Sequence, residues 1–84
     1  MEKSIYSHEY SLFLAQLRNA REEKGLTQTD VAQELGQTQS FVSKVERGER
    51  RLDVVELRAF CNAIGISFPR FIAQMDRTME NKKQ

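Results

Sequence analysis

The chain has 84 residues, enough for one domain with one core and too few for a catalytic cleft between two domains. Its formal charge is only +1, from 13 Lys and Arg against 12 Asp and Glu, so a polyanionic partner would require positive charge gathered on one part of the surface. The sequence has no apolar run long enough to span a membrane and no apolar signal segment near its start. We therefore expect a cytoplasmic protein that enters no membrane.

The residues that usually carry chemistry are scarce. Cys61 is the only cysteine and His8 the only histidine, which excludes an internal disulfide and a Cys/His metal cluster. Cys61 is expected to be a small buried apolar side chain, and His8 a surface or packing residue. No pairing of nucleophile and base, no carboxylate dyad and no metal-ligand spacing is visible, so we expect neither an enzyme nor a cofactor.

The first predicted helix follows a short N-terminal arm. Residues 1–7 show no apolar period and are expected to be loosely held. From Ser7, a plausible N-cap, apolar residues recur from Tyr10 to Ala20 at the i, i+3, i+4, i+7 spacing of one helix face. Gly25 ends this helix, because glycine readily takes the left-handed conformation that closes a helix.

Two short helices joined by a tight turn are predicted over residues 27–48. Thr27 and Asp30 have the spacing of a capping box and open the first of them, which Gly36 ends. Thr38 caps the second. The apolar side chains of the pair form one seam and the polar ones face away from it. The seam consists of Val31, Ala32, Leu35, Phe41, Val42 and Val45.

Two further helices complete the chain. Asp53 and Glu56 repeat the capping-box spacing and open a fourth helix, which Gly65 ends. Ser67 caps a fifth helix, and the polar tail 80–84 is expected to fray. The predicted core positions of the fourth helix are Val54, Val55, Leu57, Phe60, Cys61 and Ile64. Since no strand pattern or repeat is visible, the sequence predicts an all-α fold with five helices.

A set of residues with fixed spacing runs through most of the chain. It consists of Leu17-Arg18, Arg21, Gly25-Leu26-Thr27-Gln28, Val31-Ala32, Leu35-Gly36, Val42-Ser43, Val45-Glu46-Arg47-Gly48, Leu52, Leu57 and Ile64-Gly65-Ile66-Ser67. In these residues the chain resembles the phage repressor and Cro-like (XRE-type) helix-turn-helix family, over about residues 10–75. The resemblance implies a repressor-like five-helix bundle, with a helix-turn-helix domain over residues 8–79 that ends in a dimerisation helix.

The resemblance also implies that the third helix enters the major groove of DNA, where base edges carry distinct hydrogen-bonding patterns. The glutamine amide of Gln39 suits adenine and the ammonium of Lys44 suits guanine. The predicted base readers are Gln39, Ser40, Ser43 and Lys44. The predicted phosphate contacts are Arg18, Thr27, Gln28, Thr38, Arg47, Arg50 and Arg51. For Ser43 and Arg51 an ordinary surface role is equally open.

Two structural roles follow from the same comparison. Arg21 and Glu46 match a family ion pair that would tie the first helix to the reading helix. The fifth helix carries more apolar surface than a four-helix core readily covers, which predicts a homodimer on a palindromic operator. The predicted dimer interface is Phe68, Phe71, Ile72, Met75 and Met79. The alternative is that this helix folds back onto its own domain.

The sequence thus predicts a dimeric, sequence-specific regulator of transcription that binds double-stranded DNA, of repressor or controller type. We expect it at the nucleoid of a bacterium or in a phage system, and a further protein partner is left open. A protein-interaction module, such as an antitoxin, is the alternative: the near-neutral charge favours it, and the arginines Arg47, Arg50 and Arg51 oppose it.

Overall fold

The computed structural model describes the backbone of residues 2–82 and the side chains of residues 8–81. The described part of the chain forms five α-helices and no strand, so the predicted all-α fold is confirmed. The helices are α1 Glu2–Glu23, α2 Gln28–Leu35, α3 Gln39–Glu46, α4 Val54–Ile64 and α5 Phe68–Lys82. Among the described residues, no helix has the length and apolar character needed to cross a membrane.

The first helix is longer than predicted. α1 begins at Glu2, so the helix start predicted at Ser7 is wrong, and the backbone of residues 2–7, predicted as part of an arm, is helical. The helix can extend through this segment because neither glycine nor proline interrupts it. Met1 lies outside the described residues.

The three inner helices begin at the predicted caps. Thr27 Oγ1 accepts a hydrogen bond from the backbone N–H of Asp30 (3.0 Å), and the Asp30 carboxylate accepts one from the N–H of Thr27 (2.9 Å). Asp53 and Glu56 exchange the same pair of bonds at α4, at 2.8 and 3.0 Å. At α3, Thr38 Oγ1 accepts a hydrogen bond from the backbone N–H of Phe41 at 3.1 Å. These caps pair the N–H groups that a first helical turn leaves without partners.

One apolar core joins the five helices. The buried apolar residues are Phe13, Leu17, Val31, Ala32, Val42, Val45, Leu57, Phe60, Cys61, Ile64 and Phe71. Cys61 is fully buried, as predicted, and burial raises the pKa of its thiol to about 11. The thiol therefore stays protonated at neutral pH and acts as a small packing group.

The first turn of α4 corrects another prediction. Val54 and Val55 were expected in the core, but they are 63% and 73% exposed. The core residues of α4 begin only at Leu57, so its first turn lies beyond the packed interior and the two valines have nothing to pack against. The predicted helical period of α4 is right, but the prediction that its first turn lies in the core is wrong.

The fifth helix packs back onto its own domain, against α1 and α4. Phe71 is buried, and its ring meets that of Phe13 edge-on with 6.1 Å between centroids, so its predicted place in a dimer interface is wrong. The other residues of the predicted interface are half-buried against the core. They are Phe68, Ile72, Met75 and Met79.

The end of α5 also differs from the prediction. The helix continues to Lys82, so the frayed tail predicted from residue 80 is wrong up to that point, and residues 83–84 lie outside the described part. No glycine or proline stands near Met79 to end the helix there.

The burial of Phe71 can be tested by truncation. We expect Phe71→Ala to lower the free energy of unfolding by about 3 to 5 kcal/mol, because it removes a buried ring and leaves a cavity. The matched variant Met79→Ala, on the half-buried face of the same helix, should cost clearly less. Chemical denaturation of both variants measures the difference, and equal losses would contradict the placement of Phe71.

Candidate nucleic-acid interface

The α2 and α3 helices meet at a fixed angle across a short turn. Gly36 closes α2 with a left-handed backbone (φ 69°), which a residue with a side chain would adopt only with strain. The following N–H, of Gln37, donates to the carbonyl of Ala32 at 2.9 Å. Val31 and Val42 are buried between the helices. The apolar seam therefore faces inward, and the polar edge of α3 faces solvent.

The predicted base readers lie on that polar edge, with one exception. Gln39, Ser40 and Lys44 are exposed. Ser43 is half-buried, and its hydroxyl oxygen accepts a hydrogen bond from Nη1 of Arg47. Three of the predicted readers therefore lie on one accessible edge, and the fourth, Ser43, is hydrogen-bonded to another residue of the protein.

A chain of side-chain hydrogen bonds connects the reading helix to α1. Nε2 of Gln39 donates to Oε1 of Gln28 at 2.7 Å, and Nε2 of Gln28 donates to Oε1 of Glu46 at 2.9 Å. Glu46 accepts two bonds from Arg21, at 2.7 Å from Nε and 3.0 Å from Nη2. Nη1 of Arg21 also donates to the carbonyl of Leu26 at 2.8 Å. The orientation of Gln39 is thus set by residues on three helices.

The centre of this chain is the ion pair expected between Arg21 and Glu46. Both residues are buried, with 9% and 7% of their surface exposed. The hydrogen bonds that Arg21 donates to Glu46 raise the pKa of Arg21 further above its ordinary value, although burial acts in the opposite direction. Arg18, half exposed, lies 3.8 Å from the same carboxylate. Every polar contact of the pair is therefore made within the domain.

The arginines beyond α3 have partners of their own. Arg47 pairs with Glu49 at 3.0 Å, and Arg50 binds both carboxylate oxygens of Glu56, at 3.1 and 2.8 Å. The hydrogen bonds from Arg47 and from Arg50 lower the pKa of Glu49 and of Glu56, respectively. These side chains lie at the surface, so the predicted phosphate donors face solvent with carboxylates already bound to them.

Arg51 is held against α1. Its guanidinium carbon lies 4.3 Å from the ring centroid of Tyr10, a distance typical of a cation–π contact. The hydroxyl of Tyr10 accepts a hydrogen bond from the N–H of Leu52 at 3.2 Å. The loop after α3 is thereby attached to the first helix.

Several of these contacts had no signal in the sequence. Glu49, Glu56 and Tyr10 were not predicted to contact the arginines, and Gln28 was predicted only as a phosphate ligand. Tyr10 and Leu52 are separated by 42 residues, so no local spacing relates them. The two capping threonines were predicted as phosphate contacts, and the structure shows only that their side-chain oxygens cap α2 and α3.

The comparisons with known proteins point to one family. The sequence model of a helix-turn-helix family matches residues 17–71. Over 58 residues the chain is 38% identical to y4dJ of Sinorhizobium fredii, described as an uncharacterized HTH-type transcriptional regulator. That match covers 69% of this chain and 75% of that protein.

Two solved structures are similar as well. An XRE-family like protein from Pseudomonas syringae pv. tomato is 40% identical, with a TM-score of 0.86, and the match covers 92% of this chain and 94% of that one. The restriction-modification controller protein C.AhdI from Aeromonas hydrophila is 33% identical, with a TM-score of 0.65 and coverages of 76% and 96%.

A helix-turn-helix with an exposed polar reading helix defines a DNA-binding regulator of transcription. The chain belongs to the XRE-type helix-turn-helix family, and the resemblance identified from its motifs is confirmed. The repressor-like fold predicted from that resemblance is confirmed with it.

The buried ion pair yields a stability prediction. Glu46→Gln should lower the free energy of unfolding by about 3 to 5 kcal/mol, because it removes the buried carboxylate that Arg21 binds and leaves, among the described residues, only the exposed Glu22, at 3.8 Å, as a counter-charge. The matched variant Glu49→Gln, which breaks the exposed pair with Arg47, should change stability little. Thermal or chemical unfolding distinguishes the two, and an unchanged stability of Glu46→Gln would contradict the role of the pair.

Proposed function

We propose that this regulator recognises a specific, palindromic operator as a homodimer, with α3 as the reading helix. The observation that carries the proposal is the hydrogen-bond chain from Arg21 to Gln39. It holds a side chain with both donor and acceptor groups at the exposed N-terminal end of α3, the part of a recognition helix that reaches base edges. A surface glutamine with no such role would not need this support.

The remaining groups of Gln39 match adenine. Nε2 carries two hydrogens, of which one goes to Gln28 and the other is available to the N7 acceptor of the base. Oε1 is available to accept from the N6 amino group. Lys44, on the same edge, donates to guanine, and Ser40 contacts either base type. Ser43 remains a fourth proposed reader, and it would have to exchange its bond from Arg47 for a bond to a base.

The proposed phosphate contacts use exposed donors. Arg47 and Arg50 would exchange their exposed carboxylate partners for phosphate oxygens, which accept the same bidentate geometry. The hydroxyl oxygens of Thr27 and Thr38 accept the capping bonds, so their hydroxyl hydrogens are free to donate to phosphate. The proposed set is completed by Arg18, Gln28 and Arg51.

The reading geometry supports the proposed homodimer. A single eight-residue helix contacts one half-site, and two copies about one DNA turn apart, roughly 34 to 36 Å, would read a palindrome. The apolar surface available for the interface consists of the exposed Val54 and Val55 together with the accessible parts of Phe68, Ile72, Met75 and Met79. The placement of Phe71 in the core removes it from this set.

Selection of bound sites from random duplex DNA, followed by footprinting, tests the operator. We expect a two-fold-symmetric site, with affinity falling by about 0.9 log units per log unit of salt for each phosphate contacted. Gln39→Ala should weaken discrimination at one base pair per half-site by about 1 to 3 kcal/mol, and Lys44→Ala should do the same at another. The control Gln33→Ala, exposed on α2, should leave the base preference unchanged. Intact preference in both reader variants would refute these assignments, and the absence of salt-dependent DNA binding would favour a protein-interaction module.

Sedimentation equilibrium tests the dimer. The wild-type chain should show dimer mass, and the double variant Val54→Ser, Val55→Ser should weaken association without loss of helicity, because both side chains are exposed in the monomer. Circular dichroism provides the folding control. A monomer at high concentration, with and without operator DNA, would exclude the homodimer.

A further inference from the structure

An open cleft lies between α1 and α5, on a part of the surface that the reading helix does not form. Its volume is about 930 Å³, and its lining comes from α1, α5 and the two links that begin at Lys24 and at Gly65. None of the residues that line it belongs to α2 or α3. A ligand in this cleft would therefore leave the DNA-reading edge uncovered.

The floor of the cleft carries a patch of small and apolar side chains, and the other uncharged lining residues are polar, among them Asn19, Ser67, Gln74 and Thr78. Ala15 and Ala73 are exposed on the two facing helices, and Leu12 and Ile66 are half-buried beside them. Nε2 of Gln16 donates to the backbone carbonyl of Phe71 at 2.9 Å and ties α1 to α5 at the base. Short side chains between two helices leave a groove in which a third helix can approach closely.

The rim of the cleft is positively charged. Lys24, Arg70 and Arg77 line it and are exposed, and Glu23 is the only carboxylate among the lining residues. Neither Arg70 nor Arg77 forms an ion pair with any residue that the structure describes. They differ in this from Arg47 and Arg50, which are paired with carboxylates. The cleft therefore carries positive charge that the described domain does not neutralise.

Arg70 and Arg77 have a defined spacing along α5, which a partner would have to match. They are seven residues apart on α5, which places them on the same side of the helix and roughly 10 Å apart along its axis. Carboxylates seven residues apart on a partner helix have the same separation. The apolar floor between them would receive the apolar stripe of that helix.

We propose that the cleft between α1 and α5 is a docking site for an acidic, amphipathic helix of a partner protein. A second copy of this chain fits the cleft poorly, because a two-fold contact would place its cations near their own symmetry mates. Duplex DNA would use only part of the cleft, since its phosphates could pair with the arginines but would leave the apolar side chains of the floor without a partner. The partner binds together with DNA and does not compete with it.

A selection experiment tests the site. A display library of helical 20-residue peptides of random surface composition is selected against the full-length wild-type protein. Bound sequences are then measured by fluorescence anisotropy on three proteins: the wild type, the double variant Arg70→Ser, Arg77→Ser, and the control Arg58→Ser. Arg58 is an exposed arginine on α4 that also lacks an ion-pair partner among the described residues and lies outside the cleft.

We expect enriched peptides with carboxylates seven residues apart beside an apolar stripe, with affinity at least about tenfold lower for the double variant and unchanged for Arg58→Ser. Enrichment of no sequence, or of sequences without acidic residues, would overturn the proposal. So would peptide-induced amide shifts confined to α2 and α3 in nuclear magnetic resonance spectra.

Three further readouts separate this proposal from the proposed DNA function. The double variant should retain the DNA affinity and the sedimentation mass of the wild type, and the enriched peptide should bind the protein–DNA complex. A loss of DNA affinity in the double variant would assign both arginines to the DNA interface and overturn the proposal. A change in sedimentation mass would identify a second copy as the occupant, which also overturns it.

Discussion

The buried ion pair between Arg21 and Glu46 is the interaction on which the reading surface depends. A charged pair taken out of water contributes little net stability even when its geometry is good, so its value here is positional. It connects the end of α1 to the end of α3, and Oε1 of Glu46 accepts from both Arg21 and Gln28. Gln28 in turn accepts from Gln39, so the buried pair positions this exposed side chain through one intervening glutamine.

Arg47 and Arg50, which follow the reading helix, are each paired with a carboxylate, and this pairing has a physical consequence. Glu49 and Glu56 occupy the guanidinium groups that would otherwise attract any polyanion. An arginine in such a pair loses a carboxylate when it gains a phosphate, so nonspecific attraction to DNA is reduced, and the proposed base contacts would supply a larger share of the binding free energy. Near-neutral charge is therefore compatible with a DNA-binding protein that discriminates between sites.

Local rules predicted the inner helices, because capping boxes and left-handed glycines act within a few residues of Thr27, Gly36 and Asp53. The predictions that failed depend on tertiary structure. The period of α4 placed Val54 and Val55 on plausible faces but did not show that the core ends before them. The pattern of α5 was apolar enough for an interface, and only its packing on α1 shows that Phe71 is interior. Arg50 lies in the loop after α3 and Glu56 in the first turn of α4, so no helical spacing rule relates the two partners. The roles predicted for individual residues at DNA depend on contacts with DNA, which the structure of the domain alone does not contain.

The shortness of α3 affects how the protein responds to heat. An isolated helix of eight residues has almost no helical population in water, since one or two turns do not offset the cost of nucleation. The reading surface therefore exists only while the whole domain is folded. Loss of core packing at Phe71, on the fifth helix, would reduce the occupancy of the proposed operator in proportion to the unfolded fraction, even though no proposed DNA contact is altered. Substitutions in the core should accordingly behave as temperature-sensitive alleles of the regulator.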